Sequence, residues 1–360
     1  MKTPLLLLAL LFVVTIRSAY GSWHKYNHGV KNLISGMASM PSSTTKLFGV
    51  GRNGHLWERI WSGNSWHWVD HWVPPGMLLS GDKLESTPCV IREGKLFVVS
   101  KKGRLWERHW GNGKWNWVFH GRPLNFNNQR VDLDPTKCMA SRGNNMDRVF
   151  ARGTDGEIYQ LRSVPGPFGG WSWRAHFRPN GVGIRIVSGG FDVGMTGTHL
   201  YAIANNGQLY RFPLSQGTAP SLWENSLGRP SFTNLQSLSV STRNGVTRVL
   251  VVSVRNEVHT WSGNPNTFSV GSRPNGVHSF GQAIILSKEF QHTCSGNTET
   301  MVMVRTLQTI YSMTLPGFAF TQVGSTHHLF IDEVPAVLQN PRCPKVFVVT
   351  SEGELVEFFV

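Results

Sequence analysis

HLWERIWSGNSWHWVDH occupies residues 55–71, and forty-nine residues on the chain repeats itself as RLWERHWGNGKWNWVFH, residues 104–120. In each copy Leu-Trp-Glu-Arg alternates side chains, a short Gly/Asn stretch interrupts the run, and a W-x-W-x-x-H segment resumes it. Period-two alternation marks a strand, and a Gly/Asn break between two such runs marks a hairpin turn. The stretch reads as two antiparallel strands of a repeating unit.

The pattern extends along the whole chain. Runs beginning at Lys46, Lys95, Arg148, His199, Arg248, Met301 and Lys345 are spaced by 49, 53, 51, 49, 53 and 44 residues. Each pairs an apolar run with a second one across a turn such as RNG, KKG, TDG or NNG. The segments at 66–71, 115–120 and 171–176 add a further strand, and TPCVI and TKCMAS, upstream of Lys95 and Arg148, supply another. Four antiparallel strands in about fifty residues describe a propeller blade, so the expected fold is an all-β, seven-bladed β-propeller. The seventh unit stops at Val360 without a final strand. SWHKYNHG, at 22–29, aligns residues 23–29 with 115–121, so the N-terminal strand is expected to close the last blade.

Composition agrees with this reading. The 360 residues include 38 Gly, 19 Pro and 14 Trp, and only 16% are charged, which suits short strands and tight turns. Residues 1–21, with Lys2, an apolar run over 5–16 and Ala19-Tyr20-Gly21, read as a cleaved secretion signal, leaving 22–360 as one secreted, extracellular propeller domain. No later segment is apolar enough to span a membrane. Cys89 and Cys138 are 49 residues apart, as are Cys294 and Cys343, so bridges within each pair, at equivalent places in successive units, are the expected pairing of the three available. The formal charge of +14 is dispersed without a basic block, which argues against nucleic acid.

Stretches such as ARGTDGEIYQL and NGHLWERIWSGNSWHW resemble the repeats of bacterial seven-bladed propeller lectins that bind fucose and related sugars, and more distantly those of fungal fucose lectins. The resemblance implies sugar sites in clefts between blades, with an aromatic ring for stacking and polar side chains for hydrogen bonds. In the fungal proteins an Arg and a Glu follow the turn glycine; here Glu58 and Glu107 sit at the glutamate's offset, while Arg59 and Arg108 come after it rather than before.

Chemistry alone points the same way. A pyranose offers an apolar C–H face and a fringe of hydroxyls, so its site wants a flat indole beside forked donors and acceptors. The candidate sugar-binding residues are Trp57, Glu58, Arg59, Trp61, Trp66 and Trp68 in the first unit, Trp106, Glu107, Arg108, Trp110, Trp115 and Trp117 in the second, and Trp171 and Trp173 in the third. Trp61, Trp66, Trp110 and Trp115 flank turns and are favoured for ligand contact. The competing assignment for any one Trp is core packing between blades, and for Glu58 and Arg59 an ion pair. Four Arg-Pro pairs, at Arg122, Arg178, Arg229 and Arg273, form either a basic rim for acidic polysaccharide or strand ends whose arginine stems cover apolar surface, the second being preferred.

The expected function is a multivalent, non-catalytic lectin whose partners are glycans or polysaccharides, fucosylated and acidic ones included, with no cofactor and no metal. A protein-binding or wall-associated scaffold is the alternative, and a carbohydrate-active hydrolase a lesser one. Ser-x-Asp-x-Gly-x-Thr-Trp and Gly-x-Ser-x-Gly are absent, and a catalytic carboxylate pair would not recur from unit to unit as Glu58 and Glu107 do. His327, His328 and Asp332 make a poor metal set because adjacent strand residues face opposite ways.

Overall fold

The computed structural model describes residues 24–30, 32–40, 43, 45–143, 146–164, 170–176, 178–179, 193–195, 199–214, 223–224, 226–229, 234–243, 246–255, 257–261, 268–269, 284–285, 290–292, 299–305, 309–315, 319–325, 336–339 and 344–359. The leader, Trp23, Cys294, Cys343, Arg273 and the His327, His328 and Asp332 group lie outside the described residues. Among those described, the one helical element is a single 3-10 turn, Leu78–Ser80.

The described strands form seven antiparallel sheets. The first contains Ala38–Ser39, Lys46–Val50, Leu56–Ser62 and Ser65–Asp70; the second Cys89–Arg92, Lys95–Val99, Leu105–Gly111 and Lys114–Gly121; the third Leu133–Gly143, Met146–Gly153, Ile158–Val164 and Gly170–Ala175. The fourth (Val193–Met195, His199–Ile203, Leu209–Pro213) and the fifth (Leu235–Arg243, Val246–Ser253, Val258–Trp261) show three strands among the described residues. In the sixth, Ile284–Ile285 and Phe290–His292 both pair Glu299–Arg305, which is followed by Thr309–Leu315 and Ala319–Ser325. The seventh sheet joins the two ends of the chain: Ala336–Gln339, Pro344–Val349 and Glu354–Phe359 are completed by His24–Val30, with His24 opposite Phe359 and Asn27 opposite Val356. Five sheets thus carry four or more strands, so the four-strand expectation holds for some units and not, among the described residues, for the fourth and fifth.

Strand alternation sends every second side chain into the space between successive sheets, and the core is a series of such layers. Phe48, Val50 and Leu56 of the first sheet pack with Leu96 and Val98 of the second. Phe97, Val99 and Leu105 of the second meet Val149, Ala151, Tyr159 and Leu161 of the third. Phe347, Val349 and Leu355 of the seventh meet Leu47 of the first together with Leu33 and Met37, so the last layer returns to the first. Each fully buried Leu, Val or Phe contributes about 1.5–3 kcal/mol.

Polar contacts fix the step from one sheet to the next. The turn glycine of the second sheet, Gly103 (φ +67), lies so close to the following connection that a Cβ would stand 2.6 Å from both Asp132 Cβ and Leu133 N. Its carbonyl accepts the Leu133 N–H at 3.0 Å. Gly353 (φ +82) makes the equivalent approach to Leu33, whose N–H it receives at 3.1 Å. Only glycine fits a positive φ with no room for a side chain.

Cys89 and Cys138 form the expected disulfide, with Cα atoms 5.5 Å apart, between the first strands of the second and third sheets. Closing a loop of this length should stabilise the fold by about 2–4 kcal/mol. The C89A/C138A double variant is therefore expected to lower the unfolding free energy by about 2–4 kcal/mol, read as a lower urea midpoint, while leaving the far-ultraviolet signature of the sheets intact; an unchanged midpoint would show that the bridge does not constrain the unfolded chain.

Candidate functional site

The repeated tryptophans fall into three sets. The first residue of each W-x-W segment is a wedge between sheets. Trp66, Trp115 and Trp171 set their edges against Phe347, Phe48 and Phe97 of the preceding sheet, with ring centroids 5.6, 6.0 and 5.4 Å apart. The same three rings meet His28, His71 and His120 at 5.4, 5.0 and 5.1 Å. These edge-on contacts account for their half-burial.

The second tryptophan of each segment carries a cation or clips a neighbouring sheet. Arg59 lies 5.0 Å over Trp68 and Arg108 4.9 Å over Trp117. Trp173 donates its indole N–H to the His120 carbonyl at 2.9 Å. Trp223, buried in the fourth unit, does the same to His176 at 2.8 Å. Trp57 packs edge-on to Trp68, and Trp106 contacts Phe119.

The third set is exposed. Trp61 and Trp110 precede the hairpin turns, are 40% and 55% exposed, and stand edge-on to Trp66 and Trp115.

Glu58 and Glu107 are buried, and each is held by the histidine that closes its unit. His71 Nε2 donates to Glu58 at 2.9 Å, and His120 Nε2 to Glu107 at 2.7 Å. His28 and Glu357, at 2.8 Å, are the counterpart in the seventh sheet. The third sheet substitutes Gln160 for the acid, with His176 at 2.8 Å, and the fourth reverses the charges as Arg211 with Glu224. This polar pair bridges the third strand of its unit to a residue in or just beyond the next segment, and in Glu58 and Glu107 the Oε2 oxygen is taken by the histidine. Arg59 is likewise buried, donating from Nη2 to His28 Nδ1 at 3.1 Å. Burial pushes Arg108 down to about 10.

The second and third sheets enclose a cleft of about 300 Å³, at the low end for small-ligand sites, lined by Arg92, Glu93, Gly94, Lys95, Glu107, His109, Trp110, Val118 and Trp171. Lys95 Nζ lies 3.4 Å from both Glu107 and Asp147 and 5.1 Å over the Trp171 ring. His109 Nδ1 is 3.3 Å from Glu107. Burial by itself would raise the Glu107 carboxyl, but the His120 hydrogen bond and the charges of Lys95, His120 and His109 outweigh it and hold the group below its ordinary value. The cleft joins an exposed indole face to cationic donors and a fixed carboxylate. Of the sequence candidates it brings together Glu107, Trp110 and Trp171; Arg92, Lys95 and His109 were not anticipated. Lysine does recur where the second strand begins, at Lys46, Lys95 and Lys345, and Lys345 lies 2.6 Å from Glu357 and 5.9 Å from the rings of both Trp61 and Trp66.

The Arg-Pro arginines have partners of a different kind from either expectation. Arg122 donates to the Lys102 carbonyl at 2.9 Å, Arg178 to Asp155 at 3.3 Å and Arg229 to Asn206 at 3.4 Å, in each case the residue before a turn glycine. They brace the hairpin turns.

No family model matches the chain, and no curated protein matches it. Solved structures do. The BP39L lectin from Burkholderia pseudomallei superposes with a TM-score of 0.57 at 16% identity, covering 92% of this chain and 96% of that one. The structure of BBS1N in complex with ARL6DN superposes with a TM-score of 0.54 at 13% identity, covering 93% and 96%. At such identities the likeness establishes a propeller-like arrangement of sheets, and the two neighbours' differing descriptions leave function to the site itself.

His176 offers a test of the polar pairs. Buried beside a neutral amide and near Arg174, Arg148 and Arg162, it is pushed down to about 3, burial being the largest cause. The unfolded imidazole takes up its proton near 6.5, so between pH 6.5 and 3 the unfolded state binds more protons and stability falls as pH falls, by about 1.4 kcal/mol per unit for one such group. Urea midpoints measured from pH 7 to pH 5 are expected to drop, and H176Q to flatten the slope by about one proton. An identical slope in H176Q would contradict the assignment.

Proposed function

We propose that this chain is a secreted, non-catalytic lectin: a seven-bladed propeller that holds sugars in the clefts between blades. The observation that carries the reading is the 55% exposed Trp110 indole bordering a cleft whose other walls present Lys95, His109, Arg92, Glu93 and Trp171. The ring takes the C–H face of a pyranose, and the mixed donors and acceptors take its hydroxyls. Trp61, beside Trp66 and Lys345, offers a second stacking surface between the seventh and first sheets. The wedge and clip tryptophans, with Glu58, Glu107 and Arg59, serve by holding these surfaces in place.

Several features support the wider reading. The Cys89–Cys138 bridge suits an oxidising compartment. Glu58 and Glu107 belong to different sheets and each is bonded to its own histidine, so they form no acid–base pair of the kind a glycosidase needs. Repeated weak sites would gain adhesion through multivalency, with fucosylated or acidic glycans as the first ligands to try.

The test is a glycan array followed by retention of W61A and W110A on the sugar identified. Each variant is expected to weaken binding at least tenfold, about 1.4 kcal/mol, with a thermal unfolding curve close to that of the parent. Wild-type binding to no glycan, with instead a captured protein partner, would replace the lectin by a scaffold.

A further inference from the structure

We propose that the face of the molecule opposite the sugar clefts docks on an anionic lipid surface. Lys95 and Trp110 lie at one end of their strands, whereas the turn at 100–103 and the connections over 71–88 and 121–132 lie at the other. The proposal is independent of the sugar clefts.

These connections are bonded into one surface. Lys102 Nζ donates to the Ser80 carbonyl at 2.5 Å, Lys101 N to Lys83 at 2.8 Å, and Arg122 to Lys102 at 2.9 Å. Residues 71–88 therefore reach 121–132 through the turn between them.

Large apolar side chains stand out from this surface. Leu79 is 95% exposed and Phe126 81%, with Trp72, Leu78 and Leu124 also exposed. They are held outward rather than left loose. Met77 is buried as an anchor, its N–H donates to the Pro74 carbonyl at 3.1 Å, and Ser80 Oγ donates to the Met77 carbonyl at 2.8 Å, so the 3-10 turn projects Leu78 and Leu79. At the second tip, Asn125 Oδ1 accepts the N–H groups of Asn127 and Gln129 at 3.0 and 2.9 Å, which fixes the bend that carries Phe126.

Cations outnumber acids around the tips. Arg52, Lys101 and Arg130 are exposed. Of the acids in these segments, Asp82 is buried and accepts from Ser100 Oγ at 2.7 Å, Asp132 is half-exposed 2.7 Å from Arg122, and Glu85 is half-buried. Convex tips ending in one or two apolar side chains and flanked by cations match shallow insertion into a negatively charged bilayer surface. A folded protein partner would call for a contiguous, complementary patch instead.

The experiment is co-sedimentation of the intact protein with synthetic phosphatidylcholine vesicles, with and without phosphatidylserine. Binding is expected only with phosphatidylserine, is expected to weaken with added salt, and to fall at least tenfold in L79S/F126S and in K101E/R130E, both retaining the parent unfolding temperature. Absence of binding to phosphatidylserine vesicles would overturn the proposal, as would a folded L79S/F126S that binds like wild type. Concentration-dependent self-association lost in L79S/F126S, without vesicle binding, would assign the face to a second copy of the chain and equally overturn it. Synthetic vesicles carry no glycan, so this result and the glycan array succeed or fail separately.

Discussion

The structure depends on bringing residues 24–30 back to residues 354–359 across the length of the chain. His24–Val30 supplies the fourth strand of the seventh sheet, and a buried polar chain secures it: Arg59 of the first sheet donates to His28 Nδ1, His28 Nε2 donates to Glu357, and Lys345 pairs the same carboxylate. The bonding pattern fixes a neutral imidazole, accepting on one nitrogen and donating on the other. Burial, with the Arg59 and Lys345 charges, pushes the His28 imidazole down against the opposing pull of Glu357, consistent with that neutral form. Removing one member would leave a buried charge or donor without its partner, the costly way to break such a network. Through Arg59 the seventh sheet is tied to the first.

The same position in other sheets shows how one constraint tolerates different chemistry. Glu58 with His71 and Glu107 with His120 keep the acid and histidine, Gln160 with His176 keeps only the hydrogen bond, and Arg211 with Glu224 keeps the charges in reverse order. What persists is a polar bond from the third strand of the unit to a residue in or just beyond the next segment, its side chains buried in the acid–histidine and amide–histidine pairs and half-buried in Arg211–Glu224. Above it, wedge tryptophans close the gap to the preceding sheet, and the residues left exposed at the turn, Trp61 and Trp110, are those with no wedge to fill.

Much of this was legible in the sequence because strand periodicity and turn glycines are local signals. The hairpin strands at Lys46, Lys95, Arg148 and their later counterparts, the pairing of the N-terminal strand with the last one, and the Cys89–Cys138 bridge follow from repeats and spacing, whereas strands such as Leu235–Arg243 and Ala336–Gln339 do not. The division of labour among the tryptophans does not follow, since Trp66 and Trp61 occupy equally alternating runs and differ only in what the neighbouring sheet places against them. Glu58 and Glu107 read as ligand groups for the same reason: the histidines that occupy them are thirteen residues away and meet them only across a strand pair. The lysine at the head of the second strand was visible as a repeat, but its approach to the next sheet's tryptophan is a tertiary fact.

Ring closure is tested most directly by a cross-link between the chain ends. His24 and Phe359 are directly opposed, and cross-strand partners stand about 4.5–5.5 Å apart at Cα, within disulfide range. The H24C/F359C variant is expected to oxidise to a peptide containing both cysteines, identified by mass spectrometry of a non-reduced digest, with the folded signature unchanged. Two thiols that stay free in a folded protein would show that the termini do not share a sheet, and the account built on their pairing would fail.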